Sequence, residues 1–476
     1  MKMGWKAVDL SGINCVESTV TSHRLRNTVA KEKLLYVETF GCQMNVSDSE
    51  KIVALLKQAD YHPTQDSSRA DLIILNTCSV REKPEKKVYS CLGRFKGLKS
   101  ANRRLLLAVG GCVAQQEGER LLEKVPYLDL VFGTHNLHLL PDMVRQAEEG
   151  QRLAEVGFID SDARVDLFPV DENAGGLSRF VTITQGCDNF CSYCIVPYVR
   201  GREVSRRSAD ILSELRGLAD NGVKEVTLLG QNVNSYGQKS TGEPDFASLL
   251  RMVAAIPGIE RVRFTTSHPK DISPPLIDCF AEVPELCGHI HLPAQAGSDA
   301  VLARMNRGYT RGEYLEKIGA LRAARPDIQI TGDMIVGFPG ESEADFLETL
   351  ALMEEVGYAD LFSFKYSVRP GTRAAECPDD VAADVKQERL GRLQGLQRKM
   401  TLERNKSFVG SVKKILVEGV SKRGDQLYGR TSGNCVVNFP GNPVLIGLIM
   451  DVVITKAFQN SLLGEIEGSR SGTRVQ

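Results

Sequence analysis

The chain has 476 residues, 42% hydrophobic and 25% charged, with 59 Lys+Arg against 60 Asp+Glu and a formal net charge of −1. That length suits about three domains with real cores, and the balanced charge excludes recruitment of nucleic acid by bulk attraction, leaving only local basic patches. There is no run of about 18 apolar residues to span a membrane and no signal-peptide pattern in residues 1–30, so a cytoplasmic protein is expected, in which 12 cysteines point to metal or cluster ligation rather than disulfides.

Residues 1–32 show no hydrophobic period and read as a poorly ordered leader. Strands and helices then alternate. KLLYVETFG (33–41), DLIILNTC (71–78), RRLLLAVGGC (103–112) and LDLVFGTH (128–135) read as strands. Helical patterns over 47–60 and 87–99, and one ending near Gly150, separate or follow them. This alternation predicts an α/β domain over 33–150 with an open parallel sheet. A polar stretch, 158–176, reads as a linker.

A second series occupies 173–403. Its strands are 179–187, 225–233, 261–269, 289–295, 328–340 and 359–368, with helices such as 208–222 and 343–357 between them. Six β/α units are too few for a full eight-stranded barrel and predict a partial (β/α)6 barrel, with chemistry at the carboxyl ends of its strands. A charged helix to about 406 follows, and 406–468 breaks into short strands, a small all-β barrel. From Lys406 onward nine Lys/Arg face five Asp/Glu, a local excess of four positive charges. RNA contact and an ordinary, mildly basic surface both fit that excess.

Two sets of three cysteines stand out. Cys187, Cys191 and Cys194 form C-x-x-x-C-x-x-C just past the first strand of the second series. Thiolates ligate iron–sulfur clusters, normally four per 4Fe–4S cube, so three in one loop leave one iron open to another ligand. A zinc site is the competing reading, but no fourth Cys or His lies close by. This spacing resembles the radical SAM superfamily, where the open iron is chelated by S-adenosylmethionine (SAM). Cys42, Cys78 and Cys112 each fall at the carboxyl end of a different predicted strand of one parallel sheet, the crevice where open α/β sheets bind ligands. Gly41, Gly110 and Gly111 beside two of them allow close backbone approach. A second three-thiolate cluster is expected there. The remaining Cys15, Cys91, Cys279, Cys287, Cys377 and Cys435 show no ligand spacing and read as small buried hydrophobes.

TFGCQMNVSDSE (39–50), NTCSVREKPEKKVYSCLGRFKGLK (76–99), GGCVAQ (110–115) and GCDNFCSYCIVPYVRGREVSR (186–206) resemble the methylthiotransferase family over about 33–468. The resemblance implies a methylthiotransferase N-terminal domain, a radical SAM core and a TRAM RNA-binding domain. It implies 4Fe–4S clusters at both cysteine triads, and tRNA carrying N6-isopentenyladenosine just 3′ of the anticodon as substrate. One SAM would supply the methyl group, and a second the 5′-deoxyadenosyl radical that takes hydrogen from adenine C2. The anticodon stem-loop and a reducing electron donor are the implied partners, with no membrane, and the chain is expected to act as a monomer. Gly41-Cys42-Gln43-Met44-Asn45 and Ser79-Val80-Arg81-Glu82-Lys83 favour the isopentenyladenosine branch. Threonylcarbamoyladenosine or a ribosomal-protein aspartate is the alternative substrate.

Gly230-Gln231-Asn232, Gln295-Ala296-Gly297-Ser298 and Gly337-Phe338-Pro339-Gly340 follow three core strands. Of these, Gln231, Asn232, Gln295, Ser298 and Gly337 are candidate SAM contacts, with plain turn chemistry as the other reading. His289 and His291 share one face of a predicted strand and suit structural roles better than SAM contact. Arg200, Arg202, Arg206 and Arg207 form a basic cluster in sequence. Contact with RNA phosphates and a solvated face are equally open for them, as for Lys422 and Arg430.

Overall fold

The computed structural model describes residues 32–79, 82–159, 175–422 and 424–468. The expected leader, apart from Glu32, and most of the expected linker lie outside the described residues, as do Val80 and Arg81. The chain divides into two compact units. The first holds the described residues up to Gly176 with 180–188 and 194–221; the second holds 177–179, 189–193 and everything described from 222 onward.

The first unit is built on a six-stranded parallel sheet. In chain order its elements are β1 (Lys33–Thr39), α1 (Gln43–Lys57), β2 (Tyr61–Pro63), β3 (Leu72–Thr77), α2 (Glu82–Ala101), β4 (Leu106–Gly111), α3 (Cys112–Glu117), α4 (Glu119–Lys124), β5 (Leu130–Phe132), α5 (Leu140–Glu148) and β6 (Leu153–Glu155). The sheet order is β2-β1-β3-β4-β5-β6, and every neighbouring pair is parallel. All residues of β3 and β4 are buried, because helices cover both faces. One face packs Leu35, Ile74 and Ala108 with Ile52, Leu56 and Met143; the other packs Ile73, Leu75 and Val109 with Leu92, Phe95 and Leu121. This explains why both strands read as unbroken apolar runs rather than alternating ones.

The sheet has two more strands than the four expected. β2 and β6 are three-residue edge strands, too short to show any period. α1 also starts four residues earlier than the expected 47. Cys42 itself is the extended N-cap, with φ −94° and ψ −177°, so Ser47 and Asp48 are interior helix residues rather than caps.

The second unit carries a partial barrel of parallel β/α units. Glu225–Leu229 pairs with Arg261–Thr265, and His289–His291, Gln329–Val336 and Asp360–Lys365 form a second parallel set. A parallel bridge, Val262 to Leu286, lies between these sets. Ser178–Thr182, the first strand of the series, is divided between the two units. The charged helix Ala383–Ser407 turns polar side chains inward, where they find partners. Gln397 donates to the Tyr358 carbonyl at 3.0 Å, Thr401 to that of Ala359 at 3.1 Å and Asn405 to that of Phe458 at 2.8 Å, so their burial is compensated.

Five strands, Val412–Val420, Leu427–Thr431, Val436–Phe439, Ile449–Ala457 and Leu462–Ile466, close into a barrel around Ile415, Val417, Val437, Phe439, Val452 and Ile454. An arginine knot holds it against the partial barrel. Arg261 donates to the Arg430 and Lys414 carbonyls at 2.6 and 3.0 Å, and Arg263 to those of Ser432 and Thr431 at 2.9 and 2.8 Å.

Candidate functional site

In the first unit, the ends of β1, β3 and β4 bring Cys42, Cys78 and Cys112 together. Parallel strands all point their carboxyl ends at the same edge, so positions one residue past β3 and β4 and three past β1 meet there. Gly41, with φ +144°, would place a Cβ 2.7 Å from the Cys78 Cβ, and Gly111, with φ +89°, a Cβ 2.3 Å from the Thr77 carbonyl oxygen. Only residues without a Cβ fit there. Two asparagines lace the loops together. Asn45 Nδ2 donates to the Thr77 carbonyl at 3.0 Å, and Asn76 Nδ2 to the Asn45 carbonyl at 2.8 Å and to Ser49 Oγ at 2.9 Å.

Cys78 and Cys112 are buried while Cys42 is exposed. The three thiols form a row with Cys78 in the middle. Hydrogen bonding to Cys78 is the leading cause that draws Cys42 down to about 6 and Cys112 down to about 7. Cys78 goes the other way, well above the ordinary thiol value, because it hydrogen-bonds Cys112 and Cys42 and is desolvated. The lowered values of Cys42 and Cys112 suit metal ligation, since thiolate is the ligand form. Among the described residues no three His, Cys, Asp or Glu side chains form a ready site for a single metal ion.

Arg200 lies beside this row. Its side chain is 4% exposed and pairs with Asp48 of α1, 8% exposed, at 2.7 Å. Burial works against its charge, but Asp48, Cys112 and Cys42 outweigh that, and its proton is held more tightly than usual. Each of the four arginines of the basic cluster has an acidic partner. Arg206 is buried against Glu214, Arg202 pairs with Asp188 at 2.7 Å and Arg207 with Asp210 at 2.8 Å. Acidic partners distant in sequence claim two of them, which no local pattern announces.

Of the second triad, Cys187 and Cys194 belong to the first unit and Cys191 to the second. The Cys187 amide donates to the Gly201 carbonyl at 3.2 Å. Cys191 is buried and has two partners the sequence reading missed. Arg307 Nη1 donates to its sulfur at 3.3 Å, and His268 Nε2 lies 3.8 Å from it. His268 Nδ1 accepts from the Lys270 amide at 3.2 Å, so Nε2 carries the proton and points it at the sulfur. Burial first, then Arg307, keeps His268 neutral by holding its pKa far below the usual imidazole value. Arg307 also donates to the Pro293 carbonyl at 2.6 Å and to Tyr309 at 3.1 Å. His268 was findable, because it follows the end of strand Arg261–Thr265; Arg307, in a loop between helices, carried no signal.

The candidate SAM residues differ in what they touch. Asn232 donates to Asp271 at 2.7 Å and accepts from the His268 amide at 3.2 Å. Ser298 donates to Asp345. Gly337, with φ +69°, would place a Cβ 2.3 Å from Lys386 Cγ, and its amide donates to Glu341 at 2.6 Å. Those three are tied into the fold. Gln231 follows strand Glu225–Leu229, and Gln295, with φ +76°, bridges to Met334. His289 and His291 share the Thr331 hydroxyl at 3.0 and 3.1 Å, a structural arrangement. Arg430 pairs with Glu225 at 2.9 Å and with Glu418, so it serves the arginine knot rather than a phosphate; Lys422 is exposed. Cys91, Cys279, Cys287 and Cys435 are buried as expected, but Cys377 is exposed, because it follows a short turn in the acidic stretch Glu376–Asp380 rather than a core element. No helix among the described residues is long and apolar enough to cross a membrane.

Residues 34–133 match the Uncharacterized protein family UPF0004, residues 181–353 the Radical SAM superfamily and residues 406–466 the TRAM domain. The chain is 70% identical over 435 residues to a Geobacter metallireducens protein named tRNA-2-methylthio-N(6)-dimethylallyladenosine synthase, covering 91% of this chain and 98% of the relative. A Geotalea uraniireducens protein of the same name is 70% identical over 438 residues, covering 92% of this chain and 100% of the relative. A radical S-adenosylmethionine methyltransferase from Kitasatospora setae superposes with TM-score 0.54 at 14% identity, covering 73% of this chain and 74% of that one, a likeness of fold.

Proposed function

The chain belongs to the radical SAM methylthiotransferase family, and from that premise we propose that it transfers a methylthio group to C2 of N6-isopentenyladenosine at tRNA position 37, using two SAM molecules and two 4Fe–4S clusters. The observation that carries the reading is the meeting of Cys42, Cys78 and Cys112 at three strand ends, in a chain that also holds the C-x-x-x-C-x-x-C loop of Cys187, Cys191 and Cys194. When bound, the cluster at Cys187, Cys191 and Cys194 would supply the electron that cleaves SAM, and the one at Cys42, Cys78 and Cys112 an open position for the sulfur to be transferred.

The chain's own residues supply position and charge. Arg307 and His268 direct two donors at the Cys191 sulfur, which fixes its direction. Asn45 and Asn76 hold the loops that carry Cys42 and Cys78. Gln231, Asn232, Gln295, Ser298 and Gly337, all at or just past strand ends, are the proposed SAM contacts. The target adenine lies in an anticodon loop, unpaired, so it can be splayed into a pocket at modest unstacking cost. The part of the chain matching the TRAM domain, 406–466, supports tRNA as substrate. The division into 33–150, 173–403 and 406–468, action as a monomer in the cytoplasm, and dependence on a reducing electron donor belong to the same reading.

The test uses reconstituted protein, SAM, a reductant and isopentenylated tRNA, with mass spectrometry of the nucleosides. The expected product is the 2-methylthio derivative. Its absence, with methylthiolation instead of threonylcarbamoyladenosine or of a ribosomal-protein aspartate, would overturn the choice of substrate.

A further inference from the structure

Arg200 is a residue whose chemistry the proposed reaction has not used. Its guanidinium is buried to 4% exposure and pairs with Asp48, itself 8% exposed. Taking two charges out of water is costly, and well-packed apolar residues would often serve stability as well, so the pair invites a role beyond stability. Its neighbours suggest what. The short helix Val196–Val199 leads into Arg200. Val199 and Ile195 of that segment pack on Cys112 in one small apolar cluster. Two hydrogen bonds fasten the segment from behind: Thr134 Oγ1 donates to the Val199 carbonyl at 2.6 Å, and His135 Nε2 to the Arg200 carbonyl at 2.8 Å. Asp48 lies on α1, the helix that Cys42 caps. The ion pair therefore joins the segment that follows Cys194 to the elements that present Cys42 and Cys112. A rigid backbone holds the positive end there.

We propose that Arg200 is a positioning residue that sets the reduction potential of the cluster at Cys42, Cys78 and Cys112, with Asp48 holding its charge in place and offsetting part of it. This rests on the reading that those thiolates carry a cluster. A cluster with thiolate ligands becomes more negative on reduction. A fixed positive charge nearby in a low-dielectric setting stabilises the reduced form. Asp48 opposes it, but acts on Cys112 less than Arg200 does. Arg200 also keeps its charge at ordinary pH, so its influence is constant while the thiolates change state.

The experiment uses the full chain with Cys187, Cys191 and Cys194 changed to Ala, so that only the second cluster remains. Its midpoint potential is read by electron paramagnetic resonance during redox titration, with iron content and thermal melting as controls. Arg200→Met combined with Asp48→Asn removes both charges. At the wild-type midpoint its reduced-to-oxidised ratio is expected to fall on the order of tenfold. Asp48→Asn alone is isosteric, leaves Arg200 unopposed and is expected to move the ratio the other way. Arg200→Lys keeps the charge and is expected to stay near the starting value. Equal midpoints in all variants with full iron content would overturn the role of Arg200 while leaving the cluster intact. A protein that binds no iron without Cys187, Cys191 and Cys194 would overturn the second cluster itself, and this inference with it.

Discussion

Arg307 donates to the sulfur of Cys191 across 3.3 Å, from a loop 116 residues further along the chain. The same guanidinium is bound to the Pro293 carbonyl and the Tyr309 hydroxyl, so it cannot turn away from the sulfur without breaking both. A charge-assisted hydrogen bond of this kind contributes about 1.5–3 kcal/mol. Arg307→Met is therefore expected to lower the rate of 5′-deoxyadenosine release about ten- to a hundredfold, with Arg307→Lys between it and the wild type. A rate unchanged at full iron content would show that the contact has no part in SAM cleavage.

Changing Cys42, Cys78 and Cys112 together to Ala separates the two proposed clusters. The variant is expected to cleave SAM and release 5′-deoxyadenosine, yet to leave isopentenyladenosine unmodified. Loss of SAM cleavage as well, in a folded protein, would contradict separate roles for the triads.

Gly111→Ala tests the close approach of the strand ends. The added Cβ would meet the Thr77 carbonyl, which is backbone and cannot rotate aside, at a φ of +89°. Strain of this kind costs about 1–3 kcal/mol. A lowered melting temperature and reduced iron content are expected. Gly93→Ala, within α2 where a Cβ meets nothing within 4 Å, serves as the control: it is expected to leave iron content unchanged and to keep or raise the melting temperature.

Glu225 contributes to the acid limb of stability. It is fully buried and pairs with Arg263 and Arg430, each at 2.9 Å. Desolvation raises its pKa, but Arg263, Arg430 and Arg261 prevail and the net shift is downward from 4.5. A depressed carboxylate contributes stability that is present above its unfolded value and lost as pH falls through the folded one. Melting temperature is therefore expected to drop below about pH 4.5, and Glu225→Gln to reduce that drop. At neutral pH, Glu225→Ala leaves buried arginines uncompensated and is expected to cost about 3–5 kcal/mol, read by chemical denaturation.

Much of the architecture was legible in the sequence, and the exceptions have identifiable causes. Each longer strand of the first unit lies within its expected span, because β3 and β4 are buried on both faces and advertise it with unbroken apolar runs. β2 and β6 escaped because three edge residues carry no period. α1 was placed late because Ser47 and Asp48 resemble caps, whereas the cap is Cys42. Alternation placed His289 and His291 on one face, and Thr331 supplies their shared partner.

The sequence by itself determined the family, the order of its parts and the cysteine spacing, since local runs and short motifs depend only on near neighbours along the chain. Tertiary structure decided what the charged and polar side chains do. Arg200 meets Asp48 across 152 residues, Arg307 meets Cys191 across 116 and Arg430 meets Glu225 across 205. A charge taken out of water must find a partner wherever the fold provides one. That partner is set by the crossing of distant strands and loops, which no local pattern of residues encodes.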